Sequence, residues 1–390
     1  MNIKKTPFIL LVALAFSLNA CGGSDSEGNI TTPTTNSSAE EAAPTSSGSS
    51  TPAVAIDYTK GKLMNARIGK GINMGNTFDA TCEACWGAGP VELEQVQTIA
   101  AAGFNSIRLP VRWDDETLLG EPYTISATYL ARVKEVVGWI NAAGLVAIIN
   151  MHHHQSFLTD VANPDAEVKN QKPNLENAEK HLARIDAIWT QIANYFADVS
   201  SEKLVFELFN EPRGGVSADL HNQMIAQVFP IIRATSPDRT VMFGCNDYNV
   251  YTGIRTLKLP ADGNIIFTPH YYRPTNYALQ GENYNCPATI TTWEGTKAEK
   301  ETMEKEFDEM VKLANEYYPG IPINIGEFGA TECGGIPSRV KWVTNFVKLA
   351  KERGISWNYW GFTNVGGYEI YDKDVTKTWS DTETLNALLK

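Results

Sequence analysis

Residues 204–212 read L-V-F-E-L-F-N-E-P, a short apolar, aromatic-rich run that halts at a proline. A run of that kind reads as a buried strand. Pro212 has no N–H to give to a sheet ladder, so the strand must stop there. Its carboxyl end therefore carries a carboxylate, Glu211, and a neighbouring amide, Asn210. Glu207 falls on the same face as Glu211 at period two, but deeper. Residues 321–329, I-P-I-N-I-G-E-F-G, repeat the form and leave Glu327 at a second strand end. Acidic groups at the carboxyl ends of short buried strands constrain the chain to α/β architectures, where such ends share one mouth.

Six further runs have strand character: residues 68–74, 105–110, 146–151, 240–244, 265–270 and 356–360. Together with 204–210 and 323–327 they count to eight. Amphipathic helical patterns lie between them, for example over 91–102, 126–143, 179–197 and 298–318. Gly103, Gly144 and Gly354 stand where helices should stop. Eight strands alternating with helices predict an α/β fold of the (β/α)8 TIM barrel type, one catalytic domain over residues 57–390. A doubly wound open sheet competes with it, but no G-x-G-x-x-G turn follows the first strand.

The first 20 residues read as a targeting segment. Lys4 and Lys5 precede an apolar stretch, residues 7–18, too short to span a bilayer. Leu18-Asn19-Ala20-Cys21 resembles a bacterial lipobox, which predicts cleavage before Cys21 and lipidation of its sulfur. An ordinary secretory signal is the alternative. Gly22, in place of Asp, points such a lipoprotein to the outer membrane, facing the periplasm or the surface. Residues 21–56 are Ser, Thr, Gly, Pro and Asn with almost no aromatics, the composition of a flexible tether. The net charge of −12 argues against nucleic acid or an anionic membrane surface as partner. Contact with a membrane is expected only through the lipid, and the expected form is a monomer.

Several other side chains sit at strand ends. Arg108, in S-I-R-L-P, is buried by its surroundings and needs a carboxylate partner, with Glu207 a natural choice. Met151-His152-His153-His154 ends the third strand, and His-x-His on a strand can ligate zinc. Such a site would have to borrow His270 and a glutamate, so no metal and no cofactor are expected. Hydrogen bonding of sugar hydroxyls suits His152 and His153 better, with His154 inert. His270 and Tyr272 close the sixth strand in T-P-H-Y-Y, and a tyrosine there can donate to an ionised carboxylate. Trp360, in W-N-Y-W-G-F, offers a flat face to a pyranose ring. Trp86, Trp113 and Trp293 lie in loop-like stretches that could extend the platform, whereas Trp139, Trp189 and Trp342 fall at helical spacing. With Cys21 lipidated, five cysteines remain, so at least one thiol stays free. Cys82-x-x-Cys85 is open between a local disulfide, half a metal site and neither. A Cys286–Cys333 bridge fits the loops after strands six and seven.

In chain order, R-L-P, N-M-H-H, N-E-P, H-Y-Y, G-E-F-G and Y-W-G-F resemble glycoside hydrolase family 5, the cellulase A type, over about residues 57–390. The resemblance implies a (β/α)8 barrel with Glu211 as acid/base and Glu327 as nucleophile. It carries Arg108, His152, Asn210, His270, Tyr272 and Trp360 over as the supporting set. Asn76, in G-I-N-M-G-N, and Trp293, in T-W-E-G-T, match positions that touch substrate in similar endoglucanases. A retaining route needs the two carboxyls about 5–5.5 Å apart. Arg108 and Tyr272 would keep Glu327 ionised, and a negative neighbour in a drier site would raise Glu211. The expected activity is endo-cleavage of β-1,4-glucan. A β-mannanase, xyloglucanase or mixed-linkage glucanase would share these residues. Outside that class stand a non-catalytic carbohydrate-binding lipoprotein and a metal-dependent barrel hydrolase.

Overall fold

A computed structural model of the chain describes residues 56–83, 85–153, 178–213 and 216–390. The predicted signal segment, Cys21, the tether up to residue 55 and His154 lie outside the described residues. Among the described residues nine short strands form one parallel sheet: β1 Lys70–Asn73, β2 Ser106–Leu109, β3 Val146–Asn150, β4 Leu204–Glu207, β5 Val241–Phe243, β6 Ile265–Phe267, β7 His270–Tyr271, β8 Asn324–Phe328 and β9 Ser356–Tyr359. Neighbours run in chain order from β1 to β6, and β1 also pairs with β9, β9 with β8 and β8 with β7. The predicted sixth strand, 265–270, is thus two pieces. Pro269, which has no N–H to donate, interrupts it. A bridge from Phe267 to Ile323 and the pairing of His270 with Glu327 join both pieces to β8 and close the barrel. Closure excludes the open doubly wound sheet.

Helices follow the strands as the periodicity predicts. They are α1 Thr59–Ile68, α2 Leu93–Ala102, α3 Ala127–Ala142, α4 Ala178–Tyr195, α5 Ala218–Thr235, a single turn α6 Thr275–Ala278, α7 Lys297–Tyr317, α8 Ile336–Glu352 and α9 Thr382–Leu389. Thr296 and Glu299 form a reciprocal capping box at the start of α7. Gly103 ends α2 with φ 103°, a conformation that a side chain would strain. Strands buried on both faces suit a parallel barrel with helices outside it. Met64 and Ile68 of α1 close the bottom against Ile148, Val205, Met242 and Ile266. On the outer side, Phe328 of β8 stacks on Phe346 of α8, and Trp342 lies beside both.

Packing corrects part of the aromatic reading. Trp113 is fully buried, and its indole N–H donates to the Asn150 carbonyl at 2.8 Å. Trp293 is 1% exposed, and its main-chain N–H donates to Ser338 Oγ at 2.6 Å. Neither can meet a sugar, so both leave the predicted platform. Cys82–Cys85 and Cys286–Cys333 are disulfides and Cys245 is a buried free thiol, which removes the half metal site.

Low in the barrel the side chains are small and polar. Asn358 Nδ2 donates to Ser106 Oγ (3.1 Å), and Asn324 Nδ2 reaches Ser356 Oγ (2.7 Å) and Asn358 Oδ1 (3.2 Å). Gly71 lies against this layer, and a Cβ there would overlap both the Asn358 amide and Ser106 Oγ. Gly71→Ala is expected to lower stability by about 1–3 kcal/mol, the cost of overpacking, read from chemical denaturation. An unchanged midpoint would show that the layer yields freely.

Candidate active site

The carboxyl ends of the strands converge on Arg108 of β2, which is buried and surrounded by acceptors. Nε and Nη2 donate to the two oxygens of Glu207, at 2.6 and 2.7 Å. Nη1 donates to Asn73 Oδ1 (2.9 Å) and Glu327 Oε1 (2.6 Å), and Nη2 also donates to Asn210 Oδ1 (2.7 Å). All five N–H bonds of a guanidinium are thereby used. Burial alone would depress this cation, but the charges of Glu207 and Glu327 outweigh it and hold the proton firmly. Glu207 is therefore the deep charge partner its position suggested.

Arg108 also fixes the Asn210 amide, because Oδ1 accepts and Nδ2 must be the free donor. His152 is fixed from below by Asn150. Its Oδ1 accepts from the Val111 N–H (3.0 Å), so Nδ2 faces His152 Nδ1 at 3.2 Å as a donor. His152 then carries its proton on Nε2. Burial, reinforced by His153 and Arg108, keeps the ring neutral. Nε2 lies 3.4 Å from Asn210 Nδ2. Two donors that cannot serve one another converge on a place for an acceptor, such as a hydroxyl oxygen. Trp360 lies parallel to His152, 5.9 Å between ring centres. Gly75 makes room for it, since a Cβ there would be 2.5 Å from the indole. His153 stands edge-on to His152 and to Trp86, extending the aromatic row. Asn76 points elsewhere: its amide donates to the Asn364 carbonyl at 2.8 Å and braces a loop.

The opposite wall holds the ionisable groups. Glu211 sits just past β4 in a left-handed conformation (φ 44°), which costs roughly 1–3 kcal/mol for a non-glycine residue and marks a constrained site. Its Oε1 accepts from His270 Nδ1 at 2.7 Å, and Arg213 lies 3.6 Å from Oε2. The pairing of His270 with Glu327 in β7 and β8 sets the imidazole between the two glutamates, 3.5 Å from Glu327 Oε2. Tyr272 Oη donates to that same oxygen at 3.0 Å. One oxygen of each glutamate and a nitrogen of His270 all lie within 4.8 Å of one another. A divalent cation could be held at that distance, but Glu327 already serves Arg108 and Tyr272, and Glu211 serves His270.

The acidities in the unliganded site reverse the expected order. Burial works to raise Glu211, but the hydrogen bond and charge of His270, with Arg213, outweigh it and bring the carboxyl below its ordinary value. Glu327 is raised, chiefly by burial and further by the charge of Glu211, against His270 and Arg108. His270 itself is raised because the two glutamates overcome its burial. The reversal follows from the His270 bridge, which local sequence does not reveal. Asn73, Asn150 and Asp79 were also missed. Asp79 accepts N–H bonds from Asn76 and Thr77 in the loop after β1, and burial pushes it up to about 7. Period two from Asn73 and Asn150 into the barrel was the available signal for the first two.

Known proteins resemble the chain in sequence and fold. The profile of the family described as cellulase (glycosyl hydrolase family 5) matches residues 69–366. Endoglucanase H of Acetivibrio thermocellus is 34% identical over 83% of this chain. The cellulase/esterase CelE of the same organism is 29% identical over 86% of it. The chain spans only 33% and 40% of the lengths of those two relatives. A hyperthermophilic endo-β-1,4-glucanase solved in complex with substrate is 34% identical with a TM-score of 0.75, covering 85% of this chain and 100% of the other. Cel5A of Thermotoga maritima, solved with mannotriose and with cellobiose, is 28% and 29% identical in the two complexes. Its TM-scores are 0.74 and 0.73, with 84% of this chain and 99% of Cel5A covered. With that match over most of the barrel, the chain belongs to glycosyl hydrolase family 5.

Proposed function

We propose that the protein is a retaining endo-acting glycoside hydrolase that cleaves β-1,4-linked, cellulose-type glucan by double displacement. The observation that carries this reading is the approach of Glu211 and Glu327, whose nearest carboxylate oxygens lie within 4.8 Å. That suits direct attack by one carboxylate and is short for an inverting pair that must admit a water. Glu327, aimed by Arg108 and Tyr272, attacks the anomeric carbon. Glu211 gives a proton to the leaving oxygen, and a glycosyl ester forms on Glu327. The ester is neutral, so Glu211 loses a negative neighbour and becomes the more acidic group, ready to take a proton from the incoming water. The free N–H of Asn210 and the Nε2–H of His152 converge where the sugar's 2-hydroxyl would lie, a contact that strengthens in the transition state.

Glu327→Ala and Glu211→Ala are each expected to lose several orders of magnitude in kcat. Azide should rescue the two variants with opposite anomers, the α-glycosyl azide from the Glu327 variant and the β from the Glu211 variant. Near-wild-type hydrolysis by either variant would end the assignment. A carbohydrate-binding protein without catalysis would have no use for two acids so finely opposed.

Substrate choice within the class rests on the relatives. Endoglucanases lead among them, while the Cel5A complex with mannotriose gives a mannan reading its own support. Carboxymethylcellulose, barley glucan, xyloglucan and glucomannan assayed side by side separate them. The glucan reading expects internal cuts in carboxymethylcellulose, with viscosity falling faster than reducing ends appear. Turnover of glucomannan alone would replace it with a mannanase.

The export reading belongs to the same proposal and rests on Lys4, Lys5, the apolar stretch and Cys21. The protein is a lipoprotein anchored in the outer membrane through Cys21. Labelled palmitate should enter the wild-type protein and not a Cys21→Ser variant. Label in both would refute the anchor.

A further inference from the structure

The loop after β5 holds an unusual turn. Asp247, Tyr248 and Asn249 are three consecutive non-glycine residues with positive φ, 61°, 59° and 54°. L-residues avoid that conformation, above all in succession, so the fold must hold the turn for a reason. Its product is the placement of Asn249. This side chain is fully buried and lies against Gly244, where any Cβ would collide with the amide. The Asn249 carbonyl accepts the main-chain N–H of His270 at 3.0 Å, and Asn249 Nδ2 faces His270 Nε2 at 3.3 Å. Asn249 therefore grips His270 by backbone and side chain together, on the edge of the ring away from Glu211.

We infer that Asn249 is a positioning residue that decides where the Glu211–His270 pair keeps its proton. The inference rests on Glu211 being the acid/base. With Nδ1–H directed at Glu211 Oε1, a second proton on the pair has two places to go. It can complete an imidazolium at Nε2, leaving Glu211 ionised and useless as an acid. Alternatively it can stay on Glu211, ready for the leaving oxygen. An amide N–H presented to Nε2 opposes the first state and favours the second. The other titratable and charged groups around His270 are Glu327 from β8, Arg108 from β2, the neutral His152 after β3, Tyr272 after β7, which shares Glu327 Oε2 with it, and Arg213 beyond Glu211. The two glutamates favour the imidazolium and raise His270, which makes a counterweight at Nε2 necessary. Among the described residues Asn249 Oδ1 has no hydrogen-bond partner, so the facing Nδ2–Nε2 contact is the amide's one side-chain link to its surroundings.

Asn249→Asp is the decisive variant, because aspartate tolerates the left-handed backbone and accepts where asparagine donates. A carboxylate at Nε2 stabilises the imidazolium. The sign follows: the doubly protonated pair is stabilised as a whole, so the basic limb of kcat/KM moves up by about one pH unit. The plateau falls roughly tenfold because most of that pair now holds its proton on the wrong partner. Asn249→Gly, which keeps the turn without strain, should lose less and move the limb less. The 15N shifts of the His270 ring, read on histidine-labelled protein, should show a neutral Nδ1–H imidazole in the wild type near neutral pH. In Asn249→Asp they should show an imidazolium persisting to higher pH. Ring shifts that titrate alike in both proteins would overturn the role of Asn249. A ring that changes while the limb and plateau stay put would instead overturn Glu211 as the acid, a failure of the parent reading.

Discussion

The active end of the barrel depends on one buried cation. Arg108 places its five N–H bonds on Asn73 of β1, on Glu207 and Asn210 at the end of β4, and on Glu327 of β8. No two of its contacts are redundant. Glu207 takes the fork and compensates the charge, Asn73 and Glu327 share Nη1, and Asn210 receives the orientation that leaves its N–H free. Removing one partner of a buried ion pair typically costs about 3–5 kcal/mol, since the other charge is left uncompensated. Lysine could supply the charge but not five directed donors. The contact also requires the sheet to curl, because β1 and β9 separate β2 from β8 in the strand order.

Closure matters as much on the other wall. The split sixth strand pairs β7 with β8, and that register sets His270 beside Glu327. From there its Nδ1 reaches Glu211 across the mouth. Arg108 supplies one positive charge against Glu207 and Glu327, and Glu211 is held by His270 Nδ1 on one oxygen and faced by Arg213 on the other. His270 thus presents its Nδ1–H to Glu211 at 2.7 Å and steadies the carboxyl that, in the proposed mechanism, carries a proton to the leaving oxygen. Glu211 falls below its ordinary value rather than above it because His270 stands between the two glutamates.

Much of this was legible in the chain. Strand ends mark themselves by apolar runs that stop at Pro110, Pro212 or Gly329, and Gly103 and Gly144 close their helices with positive φ. Placing a glutamate at such an end needs no tertiary knowledge, so Glu211 and Glu327 stood out. Trp293 did not read correctly because a loop-like stretch says nothing about what covers it; here α8 does, through Ser338. Asn249 was invisible for a related reason. Its importance lies in which histidine nitrogen it faces, and that is fixed by strands far away in sequence.

The two walls of the cleft differ in a way that suits a pyranose. One is aromatic: Trp360 lies parallel to His152, with His153 and Trp86 edge-on beyond them, and His152 is kept uncharged by burial and by the cations near it. A charged imidazole there would be hydrated and would repel Arg108, and the parallel face beside the indole would be lost to an apolar ring surface. The other wall carries the ionisable groups, with Glu327 held by Arg108 and Tyr272 and Glu211 by His270. A sugar ring has apolar faces and hydroxyl edges, so it can lie against the first wall and turn its anomeric carbon to the second. Neutrality of His152 is therefore as much a requirement of the site as the charge of Arg108. The same amide device enforces it, Asn150 on Nδ1 of one histidine and Asn249 on Nε2 of the other.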